Sequence, residues 1–315
     1  MCKILARTKD MTREEWLQLR KQGIGGSDAG AVCGLNPYTS AMDVFLEKTA
    51  EELPEEKDNE SMREGRDLED YVAKRFCEET GFKVRRSYAI YTNENYPFMI
   101  ADVDRLIVGK EQGLVGLECK TASPYSAEKW KDGKIPAHYL AQCYHYMAVL
   151  NAKAWYIAVL IYGKEFKYIR IDRNEEIIQN LIKIEECFWN AHVLSGTMPE
   201  PDGSHAAEDF ISGQYKNSIP ESRISLEGFD EKLKRREEIT ALIEELDTEK
   251  KKIEQEVKLY MKEAELAENE HFLVSWKSSI SNRLDSKKLK EELPEVYQKY
   301  LKETGSRKFV IKPVA

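Results

Sequence analysis

No run in this sequence approaches the roughly 18 consecutive apolar residues that a membrane-spanning helix needs. The opening stretch Met1-Cys2-Lys3-Ile4-Leu5-Ala6-Arg7 is also too short in its apolar part for a secretory signal. Both absences lead to the expectation of a cytoplasmic protein without membrane partners. Six cysteines, at positions 2, 33, 77, 119, 143 and 187, include no Cys-x-x-Cys pair. That spacing argues for reduced thiols and against a zinc site, an iron–sulfur cluster or a disulfide frame. None of the five histidines stands in metal-ligand spacing with another, and no internal repeat is evident. An excess of positive charge is missing too: the formal net charge is −8, which argues against tight, non-specific coating of DNA.

What is present is a chain of 315 residues, 42% hydrophobic and 33% charged, with room for one large domain and an appendage. Its acidity is concentrated. Glu47 to Asp70 holds eleven acids against four bases, which is −7 and nearly the whole excess. Elsewhere there are small basic clusters at Lys83, Arg85 and Arg86 and at Lys129, Lys131 and Lys134. A nucleic-acid substrate is therefore not excluded, because the local field where phosphates pass is what matters.

Thr12-Arg13-Glu14-Glu15 is a capping-box pattern opening a helix that Gly23 stops. Ser27 is placed to cap a short helix running toward Cys33, and Ser40 starts another to about Thr49. After an acidic loop from Ala50 to Glu60, the spacing of Leu68, Val72 and Phe76 predicts a helix from Met62 to Thr80, closed by Gly81. Strand-like runs follow at Lys83 to Tyr91, Phe98 to Val108 and Leu114 to Lys120. Pro136 marks the start of a helix over Ala137 to Leu150, which leads into a strand pair at Trp155 to Ile161 and Phe166 to Ile171. A helix is expected at Glu175 to Leu194 and a polar linker at Gly196 to Ser218. The fold class is α/β, a mixed central sheet flanked by helices.

Gly228 to Ala267 differs in kind, with Ile239, Leu246, Ile253 and Tyr260 seven residues apart in a Lys/Glu-rich background. It reads as a long helix with a coiled-coil-like seam, polar at Glu249 and Lys250. A helical arm and an oligomerising helix both fit it. Beyond it, Phe272 to Trp276 and Phe309 to Lys312 read as two strands enclosing a basic helix around Leu284 to Thr304. The organisation is thus a catalytic-type domain over 1–200, a linker over 201–225 and a long-helix extension over 226–315.

Four constellations carry chemistry. Arg20 lies seven residues before Ser27, with Gly23, Gly25 and Gly26 between them, a pattern that suits a phosphate. Glu69 follows core-directed Leu68 on a helix and can approach the sheet edge. Asp104 on one strand and Glu118-Cys119-Lys120 on the next set two acids and a lysine around one point, with Glu118 and Lys120 sharing a face. Such carboxylates suit a hard divalent cation, and the lysine can orient or activate a water. Gln142 and Tyr146 occupy one helical face. Each piece alone has an ordinary explanation: a cap, a surface ion pair, a solvated glutamate, a packed tyrosine.

In order, these residues resemble the YqaJ-like viral recombinase family, relatives of the lambda-type alkaline exonucleases in the PD-(D/E)xK nuclease superfamily. The matching stretches are Trp16 to Asn36, Gly65 to Glu69, Phe98 to Arg105, Leu117 to Thr121 and Gln142 to Tyr146. The resemblance implies a restriction-endonuclease-like core and a Mg²⁺-dependent exonuclease, Mn²⁺ substituting, that resects double-stranded DNA ends 5′ to 3′. It implies a single-strand annealing protein as partner and admits a homo-oligomer. Carried over, the metal-binding acids fall on Asp104 and Glu118, joined by the Cys119 carbonyl, and the catalytic lysine on Lys120. The helical acid falls on Glu69, the phosphate-holding pair on Arg20 and Ser27, and Gln142 and Tyr146 on the substrate side. Arg105 departs from the pattern, where many relatives have glycine. By spacing alone Asp102 and Asp104 are equivalent. A structure-specific endonuclease and a non-catalytic DNA-binding recombination scaffold are the competing readings.

Overall fold

A computed structural model of the chain describes residues 1–51, 59–109, 113–302, 305 and 307–312. The chain divides into two compact units, Met1–Tyr215 and Lys216–Ala315. Most of the acidic loop expected after Ala50 lies outside the described residues.

In the first unit β1 (Cys2–Arg7) precedes α1 (Arg13–Arg20), α2 (Gly26–Val32), α3 (Ala41–Thr49) and the long α4 (Glu60–Thr80). Then come β2 (Lys83–Arg86), β3 (Ala89–Asn93), β4 (Tyr96–Asp102), β5 (Arg105–Val108) and β6 (Val115–Ala122). After short 3₁₀ turns over Pro124–Gly133, α5 (Ala137–Leu150) crosses to β7 (Ala154–Ile161). β8 (Glu165–Asp172), α6 (Glu175–Phe188) and α7 (His205–Gln214) complete the unit.

The strands form two sheets, one in the order β1-β3-β4 and one in the order β2-β5-β6-β7-β8. Only β6 and β7 are parallel in the larger sheet, because α5 returns the chain between them. Alternation along β6 sends Val115 and Leu117 toward Val72 and Phe76 of α4. Glu118 faces the other way, toward α5. Gly116 is required beside β7: a Cβ there would come within 2.2 Å of the Trp155 ring.

Three differences from the sequence expectations bear on the site. The run from Phe98 to Val108 is two strands, not one: β4 ends at Asp102 in the small sheet and β5 begins at Arg105 in the large one. Apolar and acidic residues alternate through Ala101-Asp102-Val103-Asp104 without Gly or Pro, so the sequence shows no turn signal. Ser27 is not the cap of α2. Gly25 holds that position and donates its amide to Asp28 Oδ2 at 2.8 Å, placing Ser27 in the first turn. The stretch expected as a polar linker contains α7, whose Ala207 and Phe210 pack on Met42 of α3. Smaller differences are β1, which was not expected, the break of Lys83 to Tyr91 into β2 and β3, and a π-helical turn over Trp189–Leu194 at the end of α6.

In the second unit α8 (Asp230–Met261) is followed by β9 (Leu266–Glu268), β10 (Leu273–Ser275), α9 (Ser286–Glu292) and α10 (Pro294–Tyr300). β10 pairs antiparallel with β9, not with Phe309–Lys312, which forms no strand. The basic helix expected around Leu284 is split, because Pro294 lacks the N–H that would continue α9 and begins α10 instead.

Candidate active site

The corner between β4 and β5 is what gathers the site. Asp104 sits on it, and its Oδ2 accepts from the Cys119 amide at 2.8 Å, so the bend is fastened to β6 where the β5–β6 pairing ends. A residue's N–H and C=O leave a strand on the same edge, which directs the Cys119 carbonyl to the Asp104 side as well. Two residues earlier, at the end of β4, Asp102 is held differently: its Oδ2 accepts from Trp16 Nε1 at 2.7 Å. The two aspartates that spacing leaves equivalent therefore have separate partners.

Glu118 is buried beneath Asp104, and its two oxygens are unequal. Oε1 accepts from Lys120 Nζ at 2.7 Å and from Gln142 Nε2 at 2.8 Å. Oε2 is buried without a hydrogen-bond partner. Gln142 gives its second amide proton to the Tyr146 hydroxyl oxygen at 2.9 Å, so α5 positions the glutamate from one side. Tyr146 in turn lies against α2, where a Cβ on Gly26 would approach its ring to 2.4 Å. Glycine at 26 is thus a condition of this close packing.

Burial pushes the Asp104 carboxyl well above the ordinary carboxylate range, and the nearby Glu118 and Glu69 push it further. Burial raises Glu118 as well, against the pull of Lys120. For Lys120 burial opposes the charge, but Glu118 and Asp104 outweigh it, and the ammonium is stabilised. Burial and then Glu118 and Asp104 raise Tyr146 well above its usual value, so it remains a phenol. Two buried carboxylates thus face one lysine, and a site of this charge balance calls for a proton or a further cation.

Glu69 lines the same cavity of about 310 Å³ as Asp104, Glu118 and Arg20. It is tied to Arg105, whose buried guanidinium reaches Glu69 and Asp70 of α4 and also donates to the Asp104 carbonyl at 2.7 Å. Arg86 joins the same two acids, at 3.5 Å to Glu69 and 3.1 Å to Asp70. The arginine that departs from the family pattern is therefore a clasp between α4 and the β4–β5 corner.

At the other side of the cavity Arg20 donates to Ser27 Oγ at 3.1 Å and to Asp28 Oδ1 at 2.9 Å, and stacks 4.9 Å from the Trp16 ring. Lys48 is fully buried and contacts Asp28 Oδ2 at 2.7 Å. Burial would raise the Asp28 carboxyl, but Lys48 and Arg20 together hold it well below its usual range. Asp28 and Lys48 are thus a fixed ionic base under Arg20.

All eight side chains singled out in the sequence come to this region, in two clusters: Glu69, Asp104, Glu118, Lys120, Gln142 and Tyr146, and apart from them Arg20 with Ser27. Trp16, Asp28, Lys48 and Arg105 were not foreseen in these roles. Trp16 and Arg105 have partners 86 and 36 residues away, and Lys48 meets Asp28 across twenty residues, so no local pattern marks these contacts. Among the described residues, no three His, Cys, Asp or Glu side chains form a ready-made metal cage. The donor set offered is two carboxylates and a main-chain carbonyl. The orphaned, buried Glu118 Oε2 fits a hard cation.

A protein of Bacillus subtilis (strain 168), described as uncharacterized protein YqaJ, is 40% identical over 315 residues, covering 99% of this chain and 98% of that one. The chain belongs to the YqaJ family. Residues 15–153 match the YqaJ-like viral recombinase domain, and every side chain of the two clusters falls inside that stretch. Among solved structures, LHK-Exo in complex with dAMP is 18% identical, with a TM-score of 0.48, and the alignment covers 64% of this YqaJ-family chain and 98% of that one. A phage related exonuclease from Haemophilus somnus 129PT is 12% identical with a TM-score of 0.42, covering 57% and 99% respectively. Among the described residues of this YqaJ-family chain, no helix is long and apolar enough to cross a membrane.

Proposed function

We propose that this YqaJ-family protein is a Mg²⁺-dependent exonuclease, with Mn²⁺ able to substitute, that resects linear duplex DNA ends from 5′ to 3′. The single observation that carries the reading is Glu118, buried beside Asp104 with one carboxylate oxygen unpartnered and Lys120 on the other. Asp104, Glu118 and the Cys119 carbonyl would hold the ion. Bound there, it supplies Lewis-acid polarisation of the phosphodiester and an acidified water.

The chain's own residues do the rest. Lys120, kept as an ammonium by its two acidic neighbours, is a donor to a phosphate oxygen or to the attacking water, not a base. Gln142 fixes the Glu118 rotamer and leaves the Tyr146 phenol proton for a further acceptor. Glu69, clasped by Arg105, adds negative charge at the cavity wall. Arg20 and Ser27, braced by Asp28, hold a terminal 5′-phosphate, which favours ends over internal positions. The 3′ strand left behind is the substrate of a single-strand annealing protein.

Purified protein incubated with Mg²⁺ and either linear or covalently closed duplex DNA tests this. Loss of the linear form with the closed form intact is expected, and chelation should stop it. Nicking of closed circles at a comparable rate would replace the exonuclease by an endonuclease.

A further inference from the structure

The chain passes between the two sheets at β2–β3 and again at β4–β5, and these crossings lie side by side. Arg86 pairs with Arg105 in the large sheet, and Ile90 pairs with Asp102 in the small one. Between those pairs stand Val103 and Asp104 on one side and Ser87, Tyr88 and Ala89 on the other. The β2–β3 crossing therefore holds one residue more than its neighbour, as a β-bulge does, and such an insertion re-aims a side chain. Tyr88 absorbs it with φ at +47°, a left-handed conformation that is rare for a bulky residue and persists only where the surroundings impose it. Here they do. Thr8 donates its amide to the Tyr88 carbonyl at 3.0 Å, and Ser87 and Ala89 on either side are buried.

The strained residue borders the cavity of the candidate site. Among the described residues, three aromatic side chains line that cavity: Trp16, Tyr88 and Tyr146. Trp16 is engaged by Asp102 and by the guanidinium groups of Arg13 and Arg20, and Tyr146 by Gln142 and the Trp155 ring. Tyr88 is 45% exposed, and among the described residues neither its ring nor its hydroxyl has a hydrogen-bond, ionic or ring partner. The Arg20–Ser27 cluster and the Asp104–Glu118 cluster line the same cavity. With a 5′-phosphate on the first and the phosphodiester to be cut on the second, the terminal nucleoside lies between them, and its base needs a partner there. A free ring suits any base, because every base has a π-face.

We propose that Tyr88 is a substrate-binding residue on which the base of the 5′-terminal nucleotide stacks. The inference rests on the exonuclease reading and adds to it the group that holds the base while Arg20 holds the phosphate. A ring fixed in place by its backbone loses little freedom when the base arrives.

The full chain carries the test, with two 5′-phosphorylated linear duplexes that differ only in the 5′-terminal nucleotide, one with its base and one with a tetrahydrofuran abasic residue. In Mg²⁺ the unaltered protein should release the first residue from the intact end with a kcat/KM about 10-fold higher than from the abasic end. Tyr88→Gly removes the ring and adopts the left-handed backbone without strain, and this ratio should fall to near one. Tyr88→Phe should restore it. A general loss of folding would lower both rates together and leave the ratio as it was. A ratio unchanged by Tyr88→Gly, or no preference in the unaltered protein, would overturn the inference. A second measurement does not require cleavage: with Ca²⁺ replacing Mg²⁺, a 5′-terminal 2-aminopurine should lose fluorescence on binding the unaltered protein or Tyr88→Phe, but not on binding Tyr88→Gly. If the unaltered protein cuts neither duplex, the exonuclease reading falls and this quenching alone decides the role of Tyr88. Equal quenching by all three proteins, or none by any, would overturn the stacking.

Discussion

The Cys119 amide points at Asp104, donating to Oδ2 at 2.8 Å across fifteen residues of sequence. This bond ties the end of one sheet pairing to the corner where the chain passes between two sheets, and it separates Asp104 from its neighbour Asp102. If Asp104 is the acid that works with Glu118, Asp104→Asn should lower cleavage of linear DNA by roughly 100-fold or more, the upper end of what losing a ligand's support costs. Asp102→Asn retains an oxygen for Trp16 Nε1 and should lose less than about 10-fold. Initial rates of the two variants measured side by side decide it; equal losses would remove the distinction.

The raised Asp104 and Glu118 carboxyls have a consequence for stability. A carboxyl whose pKa rises on folding holds its proton more tightly in the native state. Its contribution is therefore fully present below the ordinary carboxylate value of about 4 and is lost as pH rises through the raised value. The contribution of Asp104 is isolated by comparison: metal-free Asp104→Asn should melt higher than the unaltered metal-free chain at neutral pH while being inactive, and the difference should shrink as pH falls toward the ordinary carboxylate range. Mg²⁺, binding only the native state, should raise the melting temperature, by the equivalent of about 2.7 kcal/mol at a hundred times its Kd. Asp104→Asn should abolish that rise. Thermal melts with and without Mg²⁺ read both effects.

Much of this frame was legible beforehand. The caps at Thr12 and Ser40, Gly81 after α4 and the stretch from Pro136 through α5 all stand where the sequence placed them. Glu118 and Lys120 share a face because strand alternation is strictly local. The corner at Val103 and Asp104 was hidden because buried Ala101 and Val103 alternate with Asp102 and Asp104, the pattern of a half-buried strand, and no Gly or Pro marks the turn. Arg105, Lys48 and Trp16 were hidden for another reason. Trp16 pairs with a residue 86 positions away and Arg105 with one 36 away, and no local pattern encodes such partners. The strand β1 carries two basic residues and is largely exposed, so its hydrophobic signal is weak.

Arg105 should matter through what it holds. Its guanidinium spans Glu69 and Asp70, a geometry that a lysine cannot reproduce. Arg105→Lys and Arg105→Ala should each cost about 1–3 kcal/mol, since Asp70 is largely exposed while Glu69 and Arg105 are not. Urea midpoints measure this; a midpoint unchanged in both variants would mean that the clasp contributes nothing.

Arg20→Ala should slow digestion of 5′-phosphorylated ends more than of 5′-hydroxyl ends, because a guanidinium facing a terminal phosphate acts only when that phosphate is present. Two substrates that differ only at the 5′ end give the comparison. An equal loss on both would assign Arg20 to the Asp28–Lys48 ionic base instead.

The most direct measurement is cleavage of linear duplex DNA in Mg²⁺ by Glu118→Ala and by Lys120→Ala, with circular dichroism to establish that each is folded. Glu118 and Lys120 lie 2.7 Å apart with Glu118 buried, and the account predicts that each folded variant loses nearly all activity. Folded variants that digest DNA at the rate of the unaltered protein would contradict it, leaving the pair as an ion pair of the sheet and the site of hydrolysis elsewhere.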